Sequence, residues 1–291
     1  MTDQTSTGSS PIRNISDTAR WVAYYRARET QRPDAVFRDP FAKALAGDRG
    51  REIAEGLQFA QRHEWAYMAR TYLIDEFVHE QVVQRGIRLV LNLAAGLDTR
   101  PFRMKLPADL QWVEVDLPEI LDYKQDILKS EKPVCKLEQT RLDLSNVDAR
   151  RELFTQLASR PQKALILTEG LLIYLTPEEA GSLAADLAAP PSFRRWIIDL
   201  ASPGLLRMLQ DTMNRQLSAA GAPLKFGPAE GPGFFEPYGW KPLEVRSILK
   251  TAARLRRLSF GLRLAALLPE SKGRQGSRPW SGICLLQKIS S

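Results

Sequence analysis

An α/β protein built on a doubly wound, mostly parallel sheet is what this chain of 291 residues predicts. Three observations lead there. From residue 88 onward, strand-like and helix-like segments alternate. The run Leu89-Val-Leu-Asn-Leu93 is too continuously apolar for a half-solvated strand and reads as a central strand covered on both faces. That run then breaks into Ala94-Ala95-Gly96 and a charged segment, the pattern of buried strand, tight turn and helix start.

Taken in order, Met1 to Pro11 are small and polar and read as a disordered tail. Residues 12–86 read as mostly helical, an N-terminal cover with Trp21, Tyr24 and Tyr25 on or near one face. The remaining chain, 87–291, carries candidate strands at 88–93, 111–115, 136–142, 163–168, 194–200, 256–263 and 281–288. Thr176-Pro177-Glu178-Glu179 predicts a helix start, with a threonine cap, proline at the first helical position and glutamate three residues after the cap. Ser202-Pro203 opens another helix in the same way, and Lys241-Pro242 reads as a third. Between 219 and 239 glycine and proline recur so densely that regular structure is not expected. A long loop between late strands is often a lid, so an inserted lid is placed at about 203–240.

Composition excludes several classes. No apolar run approaches the roughly 20 residues of a membrane helix, and no signal-peptide segment opens the chain, so a cytoplasmic protein is expected. Cys135 and Cys284 lack metal-ligand spacing, which argues against a disulfide or a metal site. His63 and His79 lie in helical sequence with no nucleophile beside them, a poor basis for triad chemistry. The formal charge of +7 and pI near 9.5 raise nucleic acid as a partner. Yet basic residues are interspersed with acids, and the densest stretch, Arg254 to Arg263, interleaves with Leu255, Leu258, Phe260 and Leu262, as in an element with one solvated face. A small-molecule substrate is the expected partner, and the sequence sets no oligomeric state.

Ligands of open α/β sheets bind at the carboxyl ends of the strands, so the residues closing each strand matter most. Ala94, Ala95 and Gly96 close the first and let a ligand approach the backbone, although Ala94 stands where a Gly-x-Gly turn has its first glycine. Asp116 closes the second, 20 positions beyond Gly96, where an acid either binds ribose hydroxyls or caps the next helix. Asp143 follows the third; an acid there accepts from an adenine amino group or serves a turn, with Leu144 beside the ring. Glu169 ends the very apolar fourth strand and needs a partner, which a cationic ligand would supply.

Together, Asn92-Leu-Ala-Ala-Gly-Leu-Asp-Thr-Arg100, Glu114-Val-Asp-Leu-Pro118, Leu142-Asp-Leu144 and Thr168-Glu-Gly-Leu-Leu-Ile-Tyr-Leu-Thr176 resemble the leucine carboxyl methyltransferase-like family. These are class I S-adenosylmethionine-dependent methyltransferases with a large bacterial branch. Arg38-Asp-Pro-Phe41, Ala69-Arg-Thr71 and Phe234-Phe-Glu-Pro-Tyr-Gly-Trp240 extend the likeness over most of the chain. The resemblance implies a Rossmann-like seven-stranded sheet with its last strand antiparallel, a helical N-terminal cover and an inserted lid. It implies S-adenosylmethionine as cofactor, with Arg70 on the methionine carboxylate and the backbone of Ala94, Ala95 and Gly96 along its path. Asp116 would bind the ribose, Asp143 and Leu144 the adenine, and Glu169 would lie near the amino group, with Leu117 also in the cofactor site. Tyr174 would face the substrate. Alanine at 94 departs from the family's glycine, and a positive φ there would cost about 1 kcal/mol or more.

Methyl transfer from a sulfonium is an in-line displacement, so such an enzyme positions the acceptor and excludes water. A carboxylate acceptor is already a nucleophile and needs no general base, which leaves no catalytic residue to assign. Trp21, Tyr24 and Tyr25 form either an aromatic wall favouring the sulfonium or ordinary helix packing. The leading expectation is O-methylation of a small molecule's carboxyl group. Two alternatives stay open: attack of the cofactor's own amine on its γ-carbon, giving azetidine-2-carboxylic acid and methylthioadenosine, and cofactor binding without turnover.

Overall fold

The computed structural model describes residues 15–219, 221–270 and 274–289, so the expected tail at 1–11 lies outside the described residues. Helices α1 (Ile15–Thr30), α2 (Ala42–Gly56), α3 (Gln58–Arg62) and α4 (Glu64–His79) come first, and α4 runs on into a π-helical turn, Glu80–Gln84. Then follow β1 (Leu89–Leu93), α5 (Arg100–Arg103), β2 (Gln111–Asp116), α6 (Pro118–Leu128), β3 (Lys136–Arg141), α7 (Val147–Ala158) and β4 (Ala164–Thr168). The chain continues through α8 (Pro177–Ala188), β5 (Phe193–Ala201), α9 (Pro203–Ala219), β6 (Trp240–Ser247), α10 (Ile248–Arg254), α11 (Phe260–Ala266) and β7 (Ser281–Lys288).

The seven strands form one sheet in the order β3-β2-β1-β4-β5-β7-β6. β1 to β5 are parallel, and β7 runs antiparallel between β5 and β6. Every residue of β1 and β4 is buried, as their unbroken apolar runs require of strands covered on both faces. One face packs Leu91, Leu93, Ile166 and Ile198 with Leu183, Phe154 and an edge-to-face cluster of Trp196, Trp240 and Phe235. The other packs Val90, Leu165, Leu167 and Ile197 against Leu73, Ile74, Phe77 and Ile248. Each such side chain contributes about 1.5–3 kcal/mol on burial. The charge inside this core is paired: Lys124 Nζ donates to Glu114 Oε1 at 2.6 Å, and both side chains are fully buried.

The helix starts at Thr176 and Ser202 form as expected. Thr176 Oγ1 accepts from the Glu179 N–H while Glu179 Oε2 accepts from the Thr176 N–H, and Ser202 Oγ accepts from the Leu205 N–H. Between α9 and β6 the described residues of the glycine- and proline-rich segment form only a 3₁₀ helix, Gly231–Tyr238.

The sixth strand is not at 256–263. It is β6, and Lys241-Pro242, read as a helix start, lies inside it. Proline is tolerated there because β6 is an edge strand and its pairing with β7 shifts register between Pro242 and Glu244. At 256–263 the apolar spacing is helical: Leu258, Leu262 and Ala266 turn inward at intervals of four, leading into and along α11.

Candidate active site

β1 lies between β2 and β4, where the strand order reverses, and such a point leaves a crevice at the carboxyl edge of the sheet. A cavity of about 1570 Å3 opens there and is lined by residues closing β1, β2, β4 and β5 and following β3. Ala94, Ala95, Gly96, Asp116, Leu117, Asp143, Leu144 and Glu169 all line it, as do Arg70 on α4 and Tyr174 in the 3₁₀ turn after β4.

At the first turn Ala94 has φ 51° and Gly96 has φ 51°. An alanine in this left-handed region carries a steric cost of about 1–2 kcal/mol. The turn is braced from β2: Asp116 Oδ2 accepts from the Gly96 N–H at 2.6 Å and Oδ1 from the Leu117 N–H at 2.7 Å. A carboxylate has about four acceptor sites, so a cis-diol can be held by those remaining. Burial pushes the Asp116 carboxyl pKa upward, against the pull of the two N–H donors. Asp116 thus ties Leu117 to the first turn, but it does not cap α6: Leu117 is the cap residue and the helix start has no side-chain cap bond. Asp143 is exposed and accepts from the Ser145 N–H at 2.9 Å, while Leu144 packs on the sheet core.

The partner of Glu169 is not a ligand but two arginines. Arg70 Nε lies 3.0 Å from its Oε1, and Arg100 Nη1 donates to Oε2 at 2.9 Å. Arg70 Nη1 also reaches Asp199 at 3.3 Å, while its Nε, although close to Glu169, is buried and makes no hydrogen bond among the described residues. Arg100, 2% exposed, further binds Asp75 at 2.7 Å and Asp98 at 2.8 Å, and Arg103 closes the group with a forked bond to Asp75. Burial alone would keep Asp98 protonated; Arg100 and Lys124 overcome it and hold the acid at about 2. The same contest leaves Glu169 below the usual carboxylate range, through Arg100 and Arg70, whereas burial prevails at Asp199 and raises it.

Four carboxylates (Asp75, Asp98, Glu169 and Asp199) therefore surround three guanidiniums (Arg70, Arg100 and Arg103), an excess of one negative charge. That surplus, the diol-ready Asp116 and the half-satisfied Arg70 fit a ligand with a ribose, a carboxylate and a net positive charge. S-adenosylmethionine has this chemistry.

The expected aromatic wall is reduced to its first member. Trp21 lines the cavity, but Tyr25 stacks on Tyr67 at 5.2 Å between centroids and Tyr24 meets Tyr25 edge-on; neither tyrosine of α1 lines the cavity. Positions three and four past Trp21 share its side of the helix, but Tyr25 is taken up by its stacking on Tyr67, and here Tyr67 of α4 takes the place beside the cavity. Tyr174 lines the cavity, with burial raising its pKa against a hydrogen bond with Thr18.

Sequence reasoning gave no role to Arg100, Asp98, Asp199, Tyr67 or His63. Asp199 closes the apolar Trp196-Ile197-Ile198 run, the same signal that marked Glu169. His63 lines the cavity, its ring stacked 4.0 Å from that of Phe59 and its Nδ1 2.8 Å from the Phe59 carbonyl oxygen. Asp39, from Arg38-Asp-Pro-Phe41, is a tie rather than a ligand: it accepts from Arg26 Nε and Thr99 Oγ1, and Arg26 Nη2 donates to the Leu97 carbonyl, locking α1 to the β1 turn.

The sheet order, the antiparallel last strand and a cleft at the carboxyl edge with this chemistry define a Rossmann-like, S-adenosylmethionine-dependent methyltransferase. The chain belongs to the leucine carboxyl methyltransferase family, which residues 19–188 match. A candidate S-adenosyl-L-methionine-dependent methyltransferase of Frankia alni is 32% identical over 254 residues, covering 84% of this chain and 89% of that protein. A similarly named protein of Streptomyces coelicolor is 37% identical over 180 residues, 57% of this chain and 61% of its own. Among solved structures, a DUF574 family protein from Streptomyces avermitilis superposes with a TM-score of 0.63 at 14% identity, covering 96% of this chain and 98% of the other. A candidate methyltransferase from Thermobifida fusca gives 0.59 at 13%, covering 96% of each. These two likenesses carry the fold. No helix among the described residues is long and apolar enough to cross a membrane.

Proposed function

We propose that this protein O-methylates the carboxyl group of a small molecule. The observation that carries the reading is the division of one cavity: its β1–β4 end is charged and hydrogen-bonding, while the part beyond β4 is largely apolar and large enough for a second ligand. The family's description as leucine carboxyl methyltransferases supports a carboxylate acceptor. Asp116 holds the ribose with Leu117 beside it in the cofactor site, Asp143 and Leu144 meet the adenine, and Arg70 takes the methionine carboxylate. Glu169 and Asp199 attract the ammonium, and the surplus negative charge of the buried cluster favours the sulfonium. When bound, S-adenosylmethionine supplies an electrophilic methyl group: a carboxylate oxygen forms the C–O bond as the C–S bond breaks, the electron pair stays on sulfur, and no proton moves. Trp21 and Tyr174 exclude water and present aromatic faces to positive charge. The helices between 15 and 84 cover the site, and the segments 203–219 and 221–240 act as its lid.

Mass spectrometry of products made from S-adenosylmethionine, with and without added carboxylic acids, tests this. S-adenosylhomocysteine and a methyl ester are expected only with acid present. Methylthioadenosine formed without any acid would overturn the reading.

His63 favours a second reading, methylation of a hydroxyl. With Nδ1–H donating to the Phe59 carbonyl, Nε2 is left as an acceptor able to take a hydroxyl proton.

A further inference from the structure

Beyond Glu169 the cavity continues along the sheet edge past β5 and β7 to the start of α10, and its walls change character. Met208 and Leu209 of α9, Leu249 of α10, and Leu262, Ala265 and Leu268 of and just after α11 line this half. Of its charged residues, Arg274 and Arg278 are exposed, and Glu270 is engaged by Ser247 Oγ at 2.5 Å and Lys250 at 3.9 Å. Leu268 both lines the cavity and reaches the surface, which marks the mouth. Around it α11 exposes Phe260 and its neighbour Leu267 to 77% and 79%. The volume, about 1570 Å3, exceeds the roughly 300–1,000 Å3 usual for one drug-sized ligand.

Resting on the carboxyl-methylation reading, we propose that the acceptor is a monocarboxylic acid with an extended, unbranched apolar chain. Its head lies toward the cofactor half and its tail runs along the sheet edge to the mouth at α11. From β4 to β6 the edge spans three strand spacings of about 4.8 Å, roughly 14 Å. That is the length of about eleven methylene groups, with carbon–carbon bonds near 1.5 Å in a staggered zigzag. The chemistry is unchanged by the tail: the carboxylate oxygen gains the methyl as the C–S bond breaks. The tail supplies affinity through burial, which a short polar acid lacks.

The test is calorimetric titration of the full chain, saturated with S-adenosylhomocysteine, with butanoate, octanoate, dodecanoate and hexadecanoate below their micellar concentrations. Methyl-ester formation is followed separately with S-adenosylmethionine. Kd is expected to fall roughly fourfold per added methylene, from about 0.8 kcal/mol each, and to level off near twelve carbons. Ala265→Phe, which narrows the far half, is expected to move that levelling to shorter chains; binding on the exposed face of α11 would not respond. Chain-length-dependent binding without ester formation would support the chain site and overturn the carboxyl-transfer reading. Equal affinity and turnover across the series would overturn the inference and leave that reading standing. Failure of every acid to bind would overturn it too.

Discussion

The two halves of the cavity are held by different physics. Toward β1–β4, a network of buried charges and backbone donors fixes each group: Arg100 alone serves three carboxylates, and Asp116 braces both the first turn and Leu117. Toward α9, α10 and α11, aliphatic side chains from three helices make a smooth wall with few directional contacts. Directional polar contacts define one ligand closely, and removing one partner leaves a costly unpaired group. An apolar wall selects by shape and length and tolerates volume-conserving change. The contrast teaches that the cofactor half should fail sharply on substitution and the acceptor half gradually.

The largest expected break is at Arg100. Arg100→Met leaves Asp75, Asp98 and Glu169 sharing fewer cations, and removing one member of a buried ion pair costs about 3–5 kcal/mol, read as a lowered urea midpoint. Acid sensitivity follows the same residue. The folded Asp98 pKa, about 2, lies below its unfolded value. Its stabilisation is therefore present above about pH 4 and is lost as pH falls toward 2; circular dichroism should show this loss in the wild type and much less of it in the variant. Asp116 and Asp199, whose folded pKa values are raised, act in the opposite sense.

Arg70→Met should be gentler on stability, because Arg100 still holds Glu169. It should weaken S-adenosylmethionine binding by about 10- to 100-fold, the loss of one charged hydrogen bond of about 1.5–3 kcal/mol, measured by calorimetry.

Smaller still, Ala94→Gly relieves the positive φ and should raise the urea-unfolding free energy by about 1 kcal/mol. Part of that gain is offset by the larger backbone entropy of glycine in the unfolded chain.

The smallest effect is expected at His63. His63→Gln should change kcat by less than about threefold under carboxylate transfer, whereas a general base contributes about 10²–10⁴-fold. A loss of that size would establish the hydroxyl reading.

This division also explains what the sequence made legible. Strand ends Ala94–Gly96, Asp116, Asp143 and Glu169 were readable because a small residue or an acid at the end of an apolar run has few structural reasons to be there, and they do meet at one cavity. The partner of Glu169 was not readable, because Arg70 and Arg100 approach it across 99 and 69 residues of chain from two different helices. The side chains of α1 illustrate the same limit: the spacing of Trp21, Tyr24 and Tyr25 gives a helix, but only the packing of α4 decides which of them views the cavity. At 256–263 and 240–247 the local pattern misled, since Pro242 suits an edge strand as well as a helix start. The apolar half left no mark at all, because a leucine facing a cavity is spaced like one facing the core.

Titration of the purified protein and of Asp116→Ala with S-adenosylmethionine tests the central claim most directly, since Asp116 both braces the first turn and offers the remaining acceptor sites. One site per chain is predicted for the wild type, weakened about 100-fold or more in the variant through the loss of two charge-assisted hydrogen bonds. A folded wild type that does not bind, or a folded variant that binds equally well, would contradict it.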